Sequence, residues 1–114
     1  MPHPTAEERL AQEITQLHAT ICQALSDPTR ICILYALREG ECNVSELVQR
    51  LGQPQPTISR HLKILRERNL VTASRRGTSV YYRLTDRRVL DALDILRAVL
   101  GDLLNSQIAL AQAV

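Results

Sequence analysis

The sequence predicts a mainly α fold with one small β-hairpin, its elements in the order ααααββα. Three observations carry that reading. Apolar residues recur three and four apart in separate stretches, the period of a helix with one buried side. After Asn69 the period changes to that of paired strands around a glycine turn. Gly, Pro and Asp stand at the joins, where they start or end elements. The chain has 114 residues, 45% hydrophobic and 23% charged, which suits a single domain over residues 1–114, with residues 1–5 expected to be flexible.

The first helix is expected over residues 6–25, where Leu10, Ile14, Leu17, Ile21 and Leu25 form a one-sided stripe. Ser26-Asp27-Pro28 stops it and opens a second helix over 28–38, carrying Ile31, Ile33, Leu34 and Leu37 and ending at Gly40. Asn43 caps a short third helix to residue 51, with Leu47, Val48 and Leu51 inward and Gly52 at its end. A fourth runs over 54–68 with Ile58, Leu62 and Leu65 inward; Pro56 disfavours helical geometry at Gln55, so its start is expected to be irregular. Residues 70–75 and 79–84 read as strands about an Arg76-Gly77-Thr78 turn. Thr85-Asp86 caps a last helix whose wide apolar face includes Leu93, Leu96, Val99, Leu100 and Leu103.

With no Phe or Trp, the core must come from Leu, Ile, Val and Ala. No apolar run approaches the roughly 18 residues of a membrane span, and the N-terminus lacks the regions of a signal peptide. Three widely spaced cysteines do not make a disulfide framework, so the expected compartment is the reducing cytoplasm. The net charge of +2 is a cancellation. Residues 1–52 sum to −3, residues 53–88 to +7 and residues 89–114 to −2. A basic block between acidic ones is the footprint of a surface that meets a polyanion.

The helices at 43–51 and 54–68, joined by a tight glycine-containing turn, have the form of a helix-turn-helix. In that motif the second helix enters the major groove of DNA. Gln55, Thr57, Ser59, Arg60, His61 and Lys63 are the polar groups there; Arg can bind guanine and Gln adenine with paired hydrogen bonds. A hairpin tipped by Arg75 and Arg76 makes a wing for the backbone or minor groove. The architecture is thus a winged helix-turn-helix.

Ala24-Leu25-Ser26-Asp27-Pro28-Thr29-Arg30 followed by Ile33-Leu34 resembles the opening of the arsenic-repressor (ArsR/SmtB-type) family of bacterial regulators. Residues 56–66, Pro-Thr-Ile-Ser-Arg-His-Leu-Lys-Ile-Leu-Arg, are similar to its recognition helix, and Arg75-Arg76-Gly77 with Val80-Tyr81-Tyr82-Arg83-Leu84 to its wing. The resemblance covers residues 10–104 and implies a homodimeric repressor that binds a twofold double-stranded DNA operator and releases it on sensing an effector. The residues themselves agree on the dimer. Leu10, Ile14 and Leu17 of the first helix, and Leu93, Leu96, Leu100 and Leu103 of the last, make faces too broad for one short chain to cover. Pairing them sets two recognition helices about 34 Å apart, one turn of DNA. Pro56 departs from the family, which often has Ser there.

The ligand sets of metal-sensing members of that family are not matched. Asn43 and Ser45 stand where the thiol motif has its two cysteines, and Cys42 is shifted by one position. On the last helix Arg88, Val99 and Asp102 fall where the zinc-type site needs histidine. Cys22, Cys32 and Cys42 remain, with His3, His18 and His61 as other soft ligands. As the simplest reading, Cys22 and Cys32 are small buried hydrophobes. The functional readings are thiolate binding of a soft metal or metalloid such as As(III), and oxidation or uptake of reactive sulfur. Cys42, in a polar setting beside the DNA-reading unit, is the leading candidate. No phosphate loop, paired carboxylates or catalytic triad is present, so an enzyme is not expected. The alternatives are a winged-helix module that binds protein, and a repressor that senses nothing through its thiols.

Overall fold

The computed structural model describes residues 2–113. Met1, one of the five residues expected to be flexible, and Val114 lie outside them; Thr5 opens the first helix. Its hydroxyl accepts the Glu8 N–H at 3.1 Å and its own N–H donates to the Glu8 carboxylate at 3.2 Å. This capping box starts α1 (Ala6–Leu17). The first helix is not α-helical throughout to Leu25, as expected, but passes through a π-helical turn, His18–Cys22. The stripe explains the change. From Leu17 to Ile21 to Leu25 the steps are four and four, wider than the 3.6 residues of an α turn, and the wider turn keeps Ile21 and Leu25 together against the core.

Asp27 caps α2 (Pro28–Ala36), its carboxylate accepting the N–H groups of Thr29 at 2.8 Å and Arg30 at 3.4 Å. A 3-10 turn, Leu37–Glu39, follows and ends at Gly40. Next comes β1 (Cys42–Asn43), a two-residue strand that the sequence did not signal. Asn43 then caps α3 (Val44–Leu51) through a reciprocal pair with Glu46. Gly52, at φ 64°, occupies the left-handed conformation that closes the helix and turns the chain. Pro54 and Pro56 then start α4 (Gln55–Glu67), and the start is regular, contrary to expectation. Pro56 sits in the first turn, where its missing N–H would have had no helical partner.

Asn69, at φ 61°, ends α4 and lets the Leu70 N–H donate to the Leu65 carbonyl at 2.9 Å. The hairpin of β2 (Val71–Arg76) and β3 (Ser79–Leu84) closes on Gly77-Thr78, one residue tighter than expected, with Arg76 opposite Ser79. β1 adds to the far edge of β3, pairing Cys42 with Tyr82, so the expected hairpin is a three-stranded antiparallel sheet in the order β1-β3-β2. Asp86 then accepts the Arg88 N–H at the start of α5 (Arg88–Gln112), while the Thr85 hydroxyl bonds Thr72 instead.

Ile33, Leu34, Leu47, Ile58, Leu62, Leu65 and Leu90 are fully buried and form the centre where α2, α3, α4 and the start of α5 meet. Asp94 fixes α5 to α2 and the turn after it, accepting the Tyr35 hydroxyl of α2 at 2.7 Å and Arg38 of the turn at 2.8 Å. Beyond that anchor the residues of α5 are exposed almost throughout. Among the described residues, no helix is long and apolar enough to cross a membrane.

Candidate nucleic-acid interface

The packing of α4 decides which of its side chains are available. Ile58, Leu62 and Leu65 lock one side into the core. Gln55, Ser59, Lys63 and Arg66 fall four, four and three residues apart on the other side and are exposed, with Arg60 beside them. Thr57 is half-buried. His61, expected on the DNA face, is only 6% exposed and points inward, because it falls between Ile58 and Leu62 on the helix's buried face. That placement was readable from spacing alone: it lies three after Ile58 and four before Leu65.

His61 meets the segment that opens α2. Its Nδ1 lies 3.2 Å from Arg30 Nη1, and its Nε2 lies 3.8 Å from Asp27 Oδ1. Burial lowers the His61 pKa below the ordinary imidazole value; Asp27 pulls the other way, and Arg30 and Arg60 add to the lowering. Burial pushes the Asp27 carboxyl up, but the Thr29 and Arg30 N–H donors and the neighbouring charges outweigh it and hold it below the usual range. The stretch Ser26–Arg30 therefore does structural work: it ends one helix, caps the next and holds α4.

On the wing, Arg75 is exposed at the end of β2. Arg76 is already engaged, pairing with Glu41 and lying 5.1 Å above the Tyr81 ring. Arg60, Lys63, Arg66, Arg75, Arg83 and Arg87 are exposed and have no ion-pair partner among the described residues. Arg66, Arg83 and Arg87 were missed as candidates, although the charge count over residues 53–88 included them. Arg68 serves the fold, donating to the Ala19 carbonyl in the π turn.

The cysteines fall opposite to expectation. Cys22 and Cys32 are exposed, not buried hydrophobes, because each lies off the apolar stripe of its helix. Cys42 is 3% exposed, since β1 carries it under the sheet edge. Arg50 Nη1 lies 3.5 Å from its sulfur and donates to the Ala36 carbonyl at 3.0 Å. Among the described residues, no three His, Cys, Asp or Glu side chains gather into a metal site. A three-thiolate cluster within one chain is therefore not formed.

A third face is apolar. Leu10, Ile14 and Leu17 are about half exposed, and so are Leu96, Leu100 and Leu103 of α5; Leu93, expected to join them, is buried. Leu17, Ile21, Leu25 and Leu96 also line an open apolar cleft of about 610 Å³ between the first helix and α5.

A helix-turn-helix whose second helix shows a polar, basic face, followed by a basic two-stranded wing, defines the winged helix-turn-helix class. The sequence pattern described as "Bacterial regulatory protein, arsR family" matches residues 27–73. The HTH-type transcriptional repressor SmtB of Mycobacterium tuberculosis is 43% identical over 94 residues, spanning 79% of this chain and 70% of that protein. The crystal structure of the transcriptional repressor BigR from Xylella fastidiosa superposes with a TM-score of 0.71 at 32% identity, covering 83% of this chain and 96% of the other. The solution structure of a homodimeric winged helix-turn-helix DNA-binding domain from Mycobacterium bovis gives 0.73 at 30% identity, over 91% and 94%. The chain belongs to the arsR family, a family of transcriptional regulators and not of enzymes.

Proposed function

We propose that this chain, as one domain over residues 1–114, is a cytoplasmic, homodimeric repressor that binds a twofold double-stranded DNA operator. The observation that carries the reading is the pairing of two surfaces: unpaired basic groups on α4 and the wing, and an uncovered apolar face on α1 and α5. The homodimeric M. bovis relative supports the second. Gln55, Thr57, Ser59, Arg60 and Lys63 read or clamp the groove, and Arg75, with Arg76 held beside it, meets the backbone. Binding should weaken steeply with salt, the affinity falling about 10³-fold or more between 50 and 200 mM if six or more phosphates are neutralised. Fluorescence anisotropy on a duplex taken from the DNA upstream of its own coding sequence measures this. A chain that binds no duplex at low salt would instead be a protein-binding winged helix.

The surface placement of Cys22 and Cys32 favours a second, finer reading: release of the operator is triggered at these thiols, by As(III) or a similar soft ion shared between chains, or by an oxidant or reactive sulfur. Cys42, buried against Arg50, is the less accessible thiol. Either chemistry would act by changing the angle between the two DNA-reading units. Replacing all three cysteines by serine is expected to leave operator binding intact and abolish release by As(III) or polysulfide. Release unchanged in that variant identifies a repressor without thiol sensing.

A further inference from the structure

His61 lies on the recognition helix yet faces the core, and its closest polar contact is to a residue outside that helix. A guanidinium only donates, so the Arg30 contact at 3.2 Å requires a bare Nδ1, with the imidazole proton on Nε2. The same guanidinium donates through Nε to the Ala24 carbonyl at 2.7 Å and through Nη2 to the Gln23 carbonyl at 3.3 Å. One planar group with donors in fixed directions thus ties together the end of the first helix, the start of α2 and the middle of α4. We infer that His61 is a positioning residue for DNA recognition: its neutral ring, held by Arg30, sets the orientation of α4, and its protonation frees α4 and lowers DNA affinity.

The inference rests on the DNA-binding reading above and adds a signal to it. Protonating Nδ1 would set an N–H against the Arg30 N–H and two like charges side by side, one on a buried ring and the other on a half-buried guanidinium. One of them must then move. If Arg30 moves, the carbonyls that end the first helix lose their donor; if His61 moves, α4 moves with it. The charged groups around the ring are Asp27 and Arg30 at the start of α2 and Arg60 on α4 itself. Among the described residues, no charged group of α3 or β2, which also pack on α4, contacts it. Asp27 would favour a charged ring, but its Oδ1 is 3.8 Å away and already accepts two backbone N–H groups. Burial prevails and the ring stays neutral at pH 7, so the contact is complete above the ordinary imidazole pKa and is lost only as pH falls through the lowered pKa of the His61 ring. This sign is diagnostic. Acid otherwise adds positive charge to a protein and tightens its hold on DNA.

The test measures affinity for the upstream duplex from about pH 7.5 down through the titration of the His61 ring, which NMR locates, at constant ionic strength. The wild-type affinity is expected to fall tenfold or more in acid, over the range in which the His61 ring titrates. His61→Gln keeps a neutral acceptor for Arg30 and is expected to bind like wild type at the higher pH without the acid loss. Wild-type binding that is constant or tighter in acid overturns the inference, as does the same acid loss in His61→Gln. Should that variant fail to fold, the wild-type ring decides: a midpoint more than about one pH unit from that of the affinity loss overturns the inference. If no duplex is bound at the higher pH, the DNA-binding reading itself falls and this inference with it.

Discussion

Leu100→Asp is expected to convert the dimer to monomer and to lower operator affinity at least a hundredfold while leaving the folded chain intact. Leu100 is 55% exposed on α5, beyond the Asp94 anchor, so an aspartate there costs the isolated chain little. Across a twofold axis the same change enters the interface twice. An unpaired carboxylate forced into an apolar contact costs roughly 3–5 kcal/mol, and every 1.4 kcal/mol is tenfold in the dimerisation constant. DNA affinity then falls because two linked reading units gain about 10²–10⁴ over one. Size-exclusion chromatography with light scattering, circular dichroism and anisotropy on one sample check the three parts. A variant that stays dimeric and binds DNA normally would move the interface away from this face.

Arg60→Ala and Arg75→Ala should weaken DNA binding in different ways. Arg60 is exposed on α4 beside Ser59 and has no ion pair, so it is free to face base edges. Losing a bidentate guanine contact costs about 1–3 kcal/mol and relaxes preference at that base pair. Arg75, near the wing tip, is exposed and, among the described residues, has no ion pair, as a phosphate contact would need. Its removal should weaken specific and random duplexes alike and reduce the salt slope by about one per site. Competition with scrambled duplexes at several salt concentrations separates the two patterns. Equal effects of both variants on every duplex would mean that Arg60 also acts on the backbone.

The fold was legible because its signals are local. Asn43 and Asp27 each cap a helix with their own side chains, and a sequence shows such residues directly. The exposed side of α4 was half legible: the apolar spacing of Ile58, Leu62 and Leu65 fixes the opposite face, and it places His61 there although its residue type suggests the polar side. β1 was not legible, since two residues are too few to show a period and depend on Tyr81 and Tyr82 for pairing. Cys42 was judged by its polar neighbours, and Cys22 and Cys32 by average behaviour, which favours burial. Their actual exposure follows from rotation about each helix, and for Cys22 from a π turn that no propensity announces.

That π turn also constrains how related chains can be compared. Each residue of an α-helix turns the chain by about 100°, so losing one residue between Leu17 and Ile21 would swing everything before it through that angle. The half-exposed leucines of α1, proposed here to meet a second copy, and the residues that meet the chain's own core would then face unrelated directions. A one-residue gap at this point, when this sequence is aligned with a relative, is therefore a statement about quaternary geometry: it predicts a differently oriented partner, even where every residue of the DNA-reading unit is the same.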